Sequence, residues 1–271
     1  VSETRTETAV SRALATARGE DRAALVGYLP VGYPSVEGSI EAMRTMVRAG
    51  VDIVEIGLPY TDPLMDGPVI QTAATGALAA GVHVDDVFRA ARAVTDEGAA
   101  CVVMTYWNPV LRRGVEKFAA DLAAAGGSGL VTPDLVPDEA ADWLAASDAH
   151  DLDRIFLVAP SSTTERLVST TAASRGFVYA AALMGVTGAR SALGSDAAVL
   201  VDRVRQVSDI PVCVGLGVST AEQAHQVAQF ADGVIVGSAL VSCLVDAPDD
   251  LDRGLARLDT LARELAAGVR R

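Results

Sequence analysis

Eight short apolar runs, evenly spaced with helical stretches between them, constrain this chain more than any other feature. They are ALVGYL (Ala24–Leu29), DIVEIG (Asp52–Gly57), ACVVMTY (Ala100–Tyr106), GLVTP (Gly129–Pro133), RIFLVA (Arg154–Ala159), FVYAA (Phe177–Ala181), PVCVG (Pro211–Gly215) and GVIVG (Gly233–Gly237). Most are continuous rather than alternating, the pattern of parallel strands covered on both faces. Between them, VEGSIEAMRTMVRAG sets Ile40, Met43 and Val47 on one helical face and stops at Gly50. Further helix starts fall near Gly114, Pro137, Thr163, Ser195 and Thr220, where Ser219 or Thr220 is placed to cap. A closing helix carries Leu251, Leu255, Leu258, Leu261 and Leu265 as one stripe, which reads as core packing. Eight βα units in 271 residues predict an α/β fold, a (β/α)8 TIM barrel. One domain is expected over 1–271, with an extra N-terminal helix ahead of the first strand. A doubly wound sheet is the rival, but no GxGxxG follows the first strand.

The second run contains an acid. By strand alternation Val54 and Ile56 share one face, while Glu55 shares the other with Ile53. A carboxylate buried without a partner costs several kcal/mol, so it gains a hydrogen bond or titrates upward. Glu55 lies two residues before the strand ends, at the end of a barrel where active sites are built. A purely structural acid bonded to a neighbouring strand is the alternative, although nothing cationic sits nearby in sequence. Asp66 follows in the loop TDPLMDGP, where a DG pair ordinarily marks a turn. Beside an active-site glutamate it acquires a second use: two carboxyls whose environments separate their pKa values can divide acid, base and orienting roles.

Glycines gather after the last three runs, as GVTG (Gly185–Gly188), GLGVST (Gly215–Thr220) and GSA (Gly237–Ala239). Closely approaching backbone N–H groups and a helix N-terminus hold a phosphate without lysine or arginine. That matters here, because the formal net charge of −13 offers no general attraction to anions and disfavours nucleic acid and anionic membranes as partners. Lysine occurs once, at Lys117 in a helix, which leaves Schiff-base chemistry and bound pyridoxal phosphate without an amine. His83, His150 and His225 share no strand end, so neither a metal centre nor a histidine relay is expected. Cys101, Cys213 and Cys243 have no paired spacing and read as reduced core residues of a cytoplasmic protein. No signal peptide or membrane span is legible. Carboxylates, the tyrosines Tyr28, Tyr106 and Tyr179, and a phosphate cradle remain, equipment for acid–base cleavage or isomerisation of a phosphorylated aromatic substrate.

VEIGLPYTDPLMDGPVIQ, the earlier YLPVGYP, the later GVTG and the pair GLGVST and GSA together resemble the tryptophan synthase alpha chain family. The likeness runs in order along nearly the whole chain. Members are (β/α)8 barrels that cleave indole-3-glycerol phosphate into indole and glyceraldehyde 3-phosphate. They use no cofactor of their own and pair with a pyridoxal-phosphate beta subunit, commonly as an αββα assembly. The resemblance implies that Glu55 and Asp66 are catalytic. It places phosphate contacts at Gly188, Gly217, Gly237 and Ser238, and an indole pocket at Tyr28, Met104, Tyr179 and Leu216, with Ile70 near the substrate. Thr187 would help hold the aspartate, and Asp62 would face the beta subunit. Departures from the family pattern are Ala182 at a position often serine, Leu216 where an aromatic is common, and the second proline Pro137 after VTPDLV. Two rivals remain at this point. One is another phosphate-binding barrel, such as a sugar-phosphate isomerase or an indole-glycerol-phosphate-forming synthase, the latter needing a barrel lysine; the other, a ligand-carrying regulatory subunit, would have no use for Glu55.

Overall fold

The computed structural model describes residues 7–63, 65–182, 193–215 and 217–270. Its strands are β1 (Ala24–Pro30), β2 (Ile53–Gly57), β3 (Ala100–Met104), β4 (Gly129–Val131), β5 (Asp153–Ile155), β6 (Leu157–Val158), β7 (Val178–Ala181), β8 (Val212–Gly215) and β9 (Gly233–Val236). All pairings are parallel, in the order β5-β4-β3-β2-β1-β9-β8-β7-β6. The two ends of that order are consecutive pieces of one apolar run, parted only by Phe156, so the sheet comes round on itself. Before Phe156 the run pairs with β4; after it, the run pairs with β7. The eight expected strands are therefore present, the fifth in two pieces.

Helix α1 (Ala9–Gly19) precedes the barrel, and α2 (Val36–Arg48) follows β1. Helices α3 (Pro68–Ala79) and α4 (Val84–Asp96) follow β2, and α5 (Trp107–Arg113) and α6 (Val115–Ala124) follow β3. Then come α7 (Ala141–Ala149), α8 (Thr164–Ala173), α9 (Leu193–Arg205), α10 (Ala221–Ala228), α11 (Ser238–Val245) and α12 (Leu251–Gly268). The helix expected near Pro137 is first a short 3-10 turn, Pro137–Glu139, and the α-helix proper begins at Ala141. Gly114 takes a φ of +93° and so divides α5 from α6. Thr220 caps α10 by accepting from Gln223 N–H at 3.2 Å, while the Gln223 side chain accepts from Ser219 N–H at 2.8 Å. The pair satisfies two N–H groups that a helix start leaves open.

Strand alternation sorts the core into two shells. Val26, Ile53, Val102, Val131, Ile155 and Ile235 fill the barrel, whereas Val54, Ile56, Val103, Leu130 and Val234 face the helices. Helix α1 closes the N-terminal end, burying Val10, Leu14 and Ala17 on the inner shell. Each large aliphatic side chain buried this way contributes roughly 1.5–3 kcal/mol. Polar fastenings hold the same end. Thr8 caps α1 and donates to Asp153 Oδ2 at 2.6 Å. Asp52 accepts two bonds from Arg22, at 2.7 and 2.8 Å, and one from Leu25 N–H at 2.8 Å. In α12, Leu258 and Leu265 are fully buried and Leu251, Leu255 and Leu261 pack partly, so the stripe is core packing as read. The three cysteines are free and buried. No helix among the described residues is long and apolar enough to cross a membrane.

Candidate active site

Glu55 faces into the barrel at its C-terminal half, level with Tyr28 on β1 and Val102 on β3. It is 1% exposed, and among the described residues neither carboxylate oxygen has a hydrogen-bond partner. Burial alone pushes its pKa up to about 8, so at neutral pH this side chain carries a proton. Local sequence makes room for its neighbours. Gly57 follows on the same inward face, and a Cβ there would overlap the Tyr28 hydroxyl. At Gly215 a Cβ would lie 2.5 Å from the Tyr179 hydroxyl. Each rim glycine thus admits the phenol of a tyrosine from the adjoining strand. Burial first, then the Asp66 and Glu55 charges, lift the Tyr28 pKa well above its ordinary value; burial and then Glu55 do the same for Tyr179. Both phenols remain protonated and able to donate.

Asp66 reaches the same space from the loop between β2 and α3. It is half-buried, and burial raises its pKa while a hydrogen bond donated by the Tyr106 hydroxyl to Oδ1, at 3.4 Å, lowers it. That hydroxyl also accepts from Met65 N–H at 3.0 Å. Tyr106 stacks on Tyr60 with ring centroids 5.2 Å apart. At the other end of the loop, Gln71 Nε2 donates to the Asp66 carbonyl at 2.7 Å. Asp62 is exposed and accepts from the Thr61 hydroxyl at 2.6 Å.

Across the mouth, Gly237 forms the N-cap of α11, with no side chain capping it and exposed Ser238 as the first helical residue. A Cβ built on Gly237 would stand 3.6 Å from Tyr28 Cδ1 and 3.8 Å from Ile70 Cδ1, so this N-terminus adjoins an apolar wall. Gly217, after β8, has a φ of +72°, which favours glycine. Met104 ends β3 and packs on both shells. Among the expected site positions, Thr187, Gly188 and Leu216 lie outside the described residues. The structure brings Glu55, Asp66, Tyr28, Tyr179, Ile70 and Gly237 to one end of the barrel. Lys117 is exposed on α6 and pairs with Asp121 at 3.0 Å. Among the described residues no group of three His, Cys, Asp or Glu side chains is arranged to hold a metal ion.

The sequence profile of tryptophan synthase alpha chains matches residues 14–270. The chain belongs to the tryptophan synthase alpha chain family. It is 63% identical over 254 residues to the alpha chain of Mycobacteroides abscessus, covering 94% of each chain. A Mycobacterium marinum alpha chain is likewise 63% identical, over 93% of this chain and 91% of that one. Among solved structures, tryptophan synthase of Mycobacterium tuberculosis superposes with a TM-score of 0.91 at 59% identity, covering 98% of this chain and all of that one. The alpha subunit from Legionella pneumophila gives 0.88 at 30% identity, over 97% and 99%. The fold and the family expected from the sequence are both established, and with them the activity. The chain is a carbon–carbon lyase of tryptophan biosynthesis that releases indole and D-glyceraldehyde 3-phosphate from indole-3-glycerol phosphate.

Three features of the alpha-chain site have in the structure a contact that the sequence does not show. Tyr106 is the hydroxyl partner of Asp66, and Gly57 and Gly215 are the recesses for two tyrosines. The glycines carry a legible signal: each ends an inward-facing register on its strand, two residues after Glu55 and after Cys213 respectively. The pairing of Tyr106 with Asp66 carries none, because the two sit 40 residues apart on different loops.

Proposed function

We propose that Glu55 is the proton shuttle of the lyase reaction and Asp66 the group that stabilises charge on the indole nitrogen. One observation carries this reading: Glu55 is buried at the catalytic end of the barrel with no partner among the described residues, and burial leaves it protonated at neutral pH. Indole is a poor carbanion leaving group while its enamine is intact. The Glu55 carboxyl delivers its proton to indole C3, making that carbon tetrahedral and placing positive charge on the ring nitrogen. Asp66, ionised, accepts the N–H and stabilises that charge. The Glu55 carboxylate then takes the proton of the C3′ hydroxyl. Its oxygen closes to an aldehyde, the C3–C3′ bond breaks, and the bonding pair restores the neutral indole. The proton given to C3 stays in the product, and Glu55 ends as it began. Each positioned proton transfer is worth ~10²- to 10⁴-fold.

The remaining residues bind. Gly217, Gly237 and Ser238, with Gly188, are proposed to hold the phosphate through backbone N–H groups and the dipole of α11. Tyr28, Met104, Tyr179 and Leu216 form the indole pocket, with Ile70 beside Gly237 joining pocket to cradle and Thr187 steadying Asp66. The contact of Tyr28 and Ile70 with the Gly237 position supports a substrate laid from phosphate to ring along this wall. We further propose one domain over 1–271, chemistry run by side chains alone, and a cytoplasmic αββα complex in which a beta subunit, bearing pyridoxal phosphate, docks beside Asp62. Family membership supports the pairing, and the exposure of Asp62 leaves it accessible. The test is direct: supply indole-3-glycerol phosphate to the chain, with and without a beta subunit, and follow indole release in wild type and Glu55→Gln. Undiminished release by the variant would remove Glu55 from the reaction.

A further inference from the structure

We propose that Tyr106 is a positioning residue whose hydroxyl sets the Asp66 carboxylate for its contact with substrate. The proposal rests on the reading of Asp66 as catalytic. Tyr106 follows β3 and is buried, with one oxygen bonded on both sides of the same peptide: it accepts from Met65 N–H at 3.0 Å and donates to Asp66 Oδ1 at 3.4 Å. A donor and an acceptor contact to successive residues fix both where the loop backbone lies and where the carboxylate points.

The phenol is itself held from elsewhere. The next residue, Trp107, donates its N–H to both carboxylate oxygens of Asp134, at 2.9 and 3.1 Å, in the loop after β4. The Tyr106 ring lies against Tyr60 at an interplanar angle of 30°, and Asn108 Nδ2 donates to the Tyr60 hydroxyl at 3.4 Å. The reference frame for Asp66 therefore belongs to the loops after β3 and β4 rather than to its own loop. Tyr60 lies two residues before the exposed Asp62, so a partner pressing on that part of the loop moves a ring stacked directly on Tyr106.

The hydroxyl also has a charge effect with a definite sign. Facing Asp66 are Tyr28 from β1 and Tyr106, and the surroundings that half-bury the carboxyl favour its neutral form. A hydrogen bond donated to the ionised carboxylate opposes them. Removing that donor raises the Asp66 pKa, and the acid limb of the rate profile moves to higher pH.

The test compares wild type, Tyr106→Phe, Asp66→Asn and the double variant, each as free chain and with beta subunit, using indole-3-glycerol phosphate across pH. Phenylalanine keeps the ring stacked on Tyr60 and deletes only the hydroxyl. Tyr106→Phe is expected to lower kcat roughly tenfold with KM changed less than about twofold. The acid limb of its kcat/KM profile should shift upward. In the Asp66→Asn background the same substitution should change kcat by less than about twofold, because the hydroxyl acts through the carboxylate. An equal loss in both backgrounds, or an unmoved acid limb, would overturn the proposal and leave Tyr106 as packing. A fully active Asp66→Asn variant would instead defeat the underlying assignment of Asp66, a distinguishable result.

Discussion

Replacing Glu55 by glutamine separates what this carboxyl does for the reaction from what it does to the fold. Burial pushes its folded pKa to about 8 from an ordinary value of 4.5. Between those pH values the unfolded chain gives up a proton that the folded chain keeps, so stability falls as pH rises. Within the window each pH unit removes roughly 1.4 kcal/mol. Integrated from pH 5 to pH 7, the loss comes to about 2–3 kcal/mol, and it levels off above the folded pKa. Glutamine has the same shape and no titration. The stability gained by Glu55→Gln should therefore grow by about 2–3 kcal/mol between pH 5 and pH 7, whatever constant offset the buried amide adds. Urea unfolding of the isolated chain, followed by circular dichroism at pH 5, 6, 7 and 8, measures that difference. The same preparations should release indole at least ~10²-fold more slowly than wild type. A stability gap that stays constant with pH would mean Glu55 is ionised and partnered in the folded chain. A variant keeping more than about a tenth of wild-type turnover would show that neither proton transfer passes through it.

The kcat/KM profile should be bell-shaped, falling on the acid side as Asp66 gains a proton and on the alkaline side near pH 8 as Glu55 loses one; Glu55→Gln should abolish the alkaline limb in whatever activity remains. Gly237→Ala adds a methyl that meets nothing among the described residues closer than 3.6 Å, so the chain should fold normally. The methyl intrudes on the proposed cradle, however, and KM should rise roughly tenfold with kcat less affected; an unchanged KM would place the phosphate elsewhere. Asp66→Asn should lose most activity both free and with beta subunit, whereas Asp62→Ala should lose mainly the stimulation. Titrating each with beta subunit at saturating substrate decides this, and equal fractional stimulation in Asp62→Ala and wild type would remove Asp62 from the coupling.

The barrel was legible because its strands are buried on both faces and announce themselves as apolar runs. What periodicity could not show was the seam. RIFLVA reads as one strand, yet the chain changes pairing partner at Phe156, and only tertiary register reveals that. The start near Pro137 failed by four residues for a local reason: proline suits the first turn of a helix, and here it opens a 3-10 turn instead. At the site, Glu55 was legible as an acid where a strand should be apolar, since alternation alone fixes the direction it faces. Asp66 was ambiguous by itself, because a DG turn and a catalytic carboxylate look identical in one dimension. Tyr106 was legible as one of three tyrosines available to the site, but its pairing with Asp66 was not, for a hydroxyl contact between two loops leaves no periodic trace.

Two buried acids inside the barrel show how the fold divides its work. Asp153 stands at the N-terminal end and is fully buried, as Glu55 nearly is at the other. Burial raises both, yet Asp153 reaches only about 6 while Glu55 reaches about 8. The difference lies in their neighbours. Asp153 accepts from Thr8 at 2.6 Å and has the Arg175 Nε at 3.5 Å, with Arg154 also favouring its charge. Those contacts hold α1 across the barrel floor, so the charge of Asp153 is part of what keeps that end shut. Among the described residues Glu55 has no such neighbour. Near it stand two phenols, each able to donate. An unpartnered carboxyl lowers stability at neutral pH, and a chain selected for stability alone would keep valine or isoleucine there, as it does at Ile53 and Val102 on the same inner face. Helix α1 and its polar fastenings at the floor offset that loss, and so the acid at the rim can stay protonated until a substrate receives its proton.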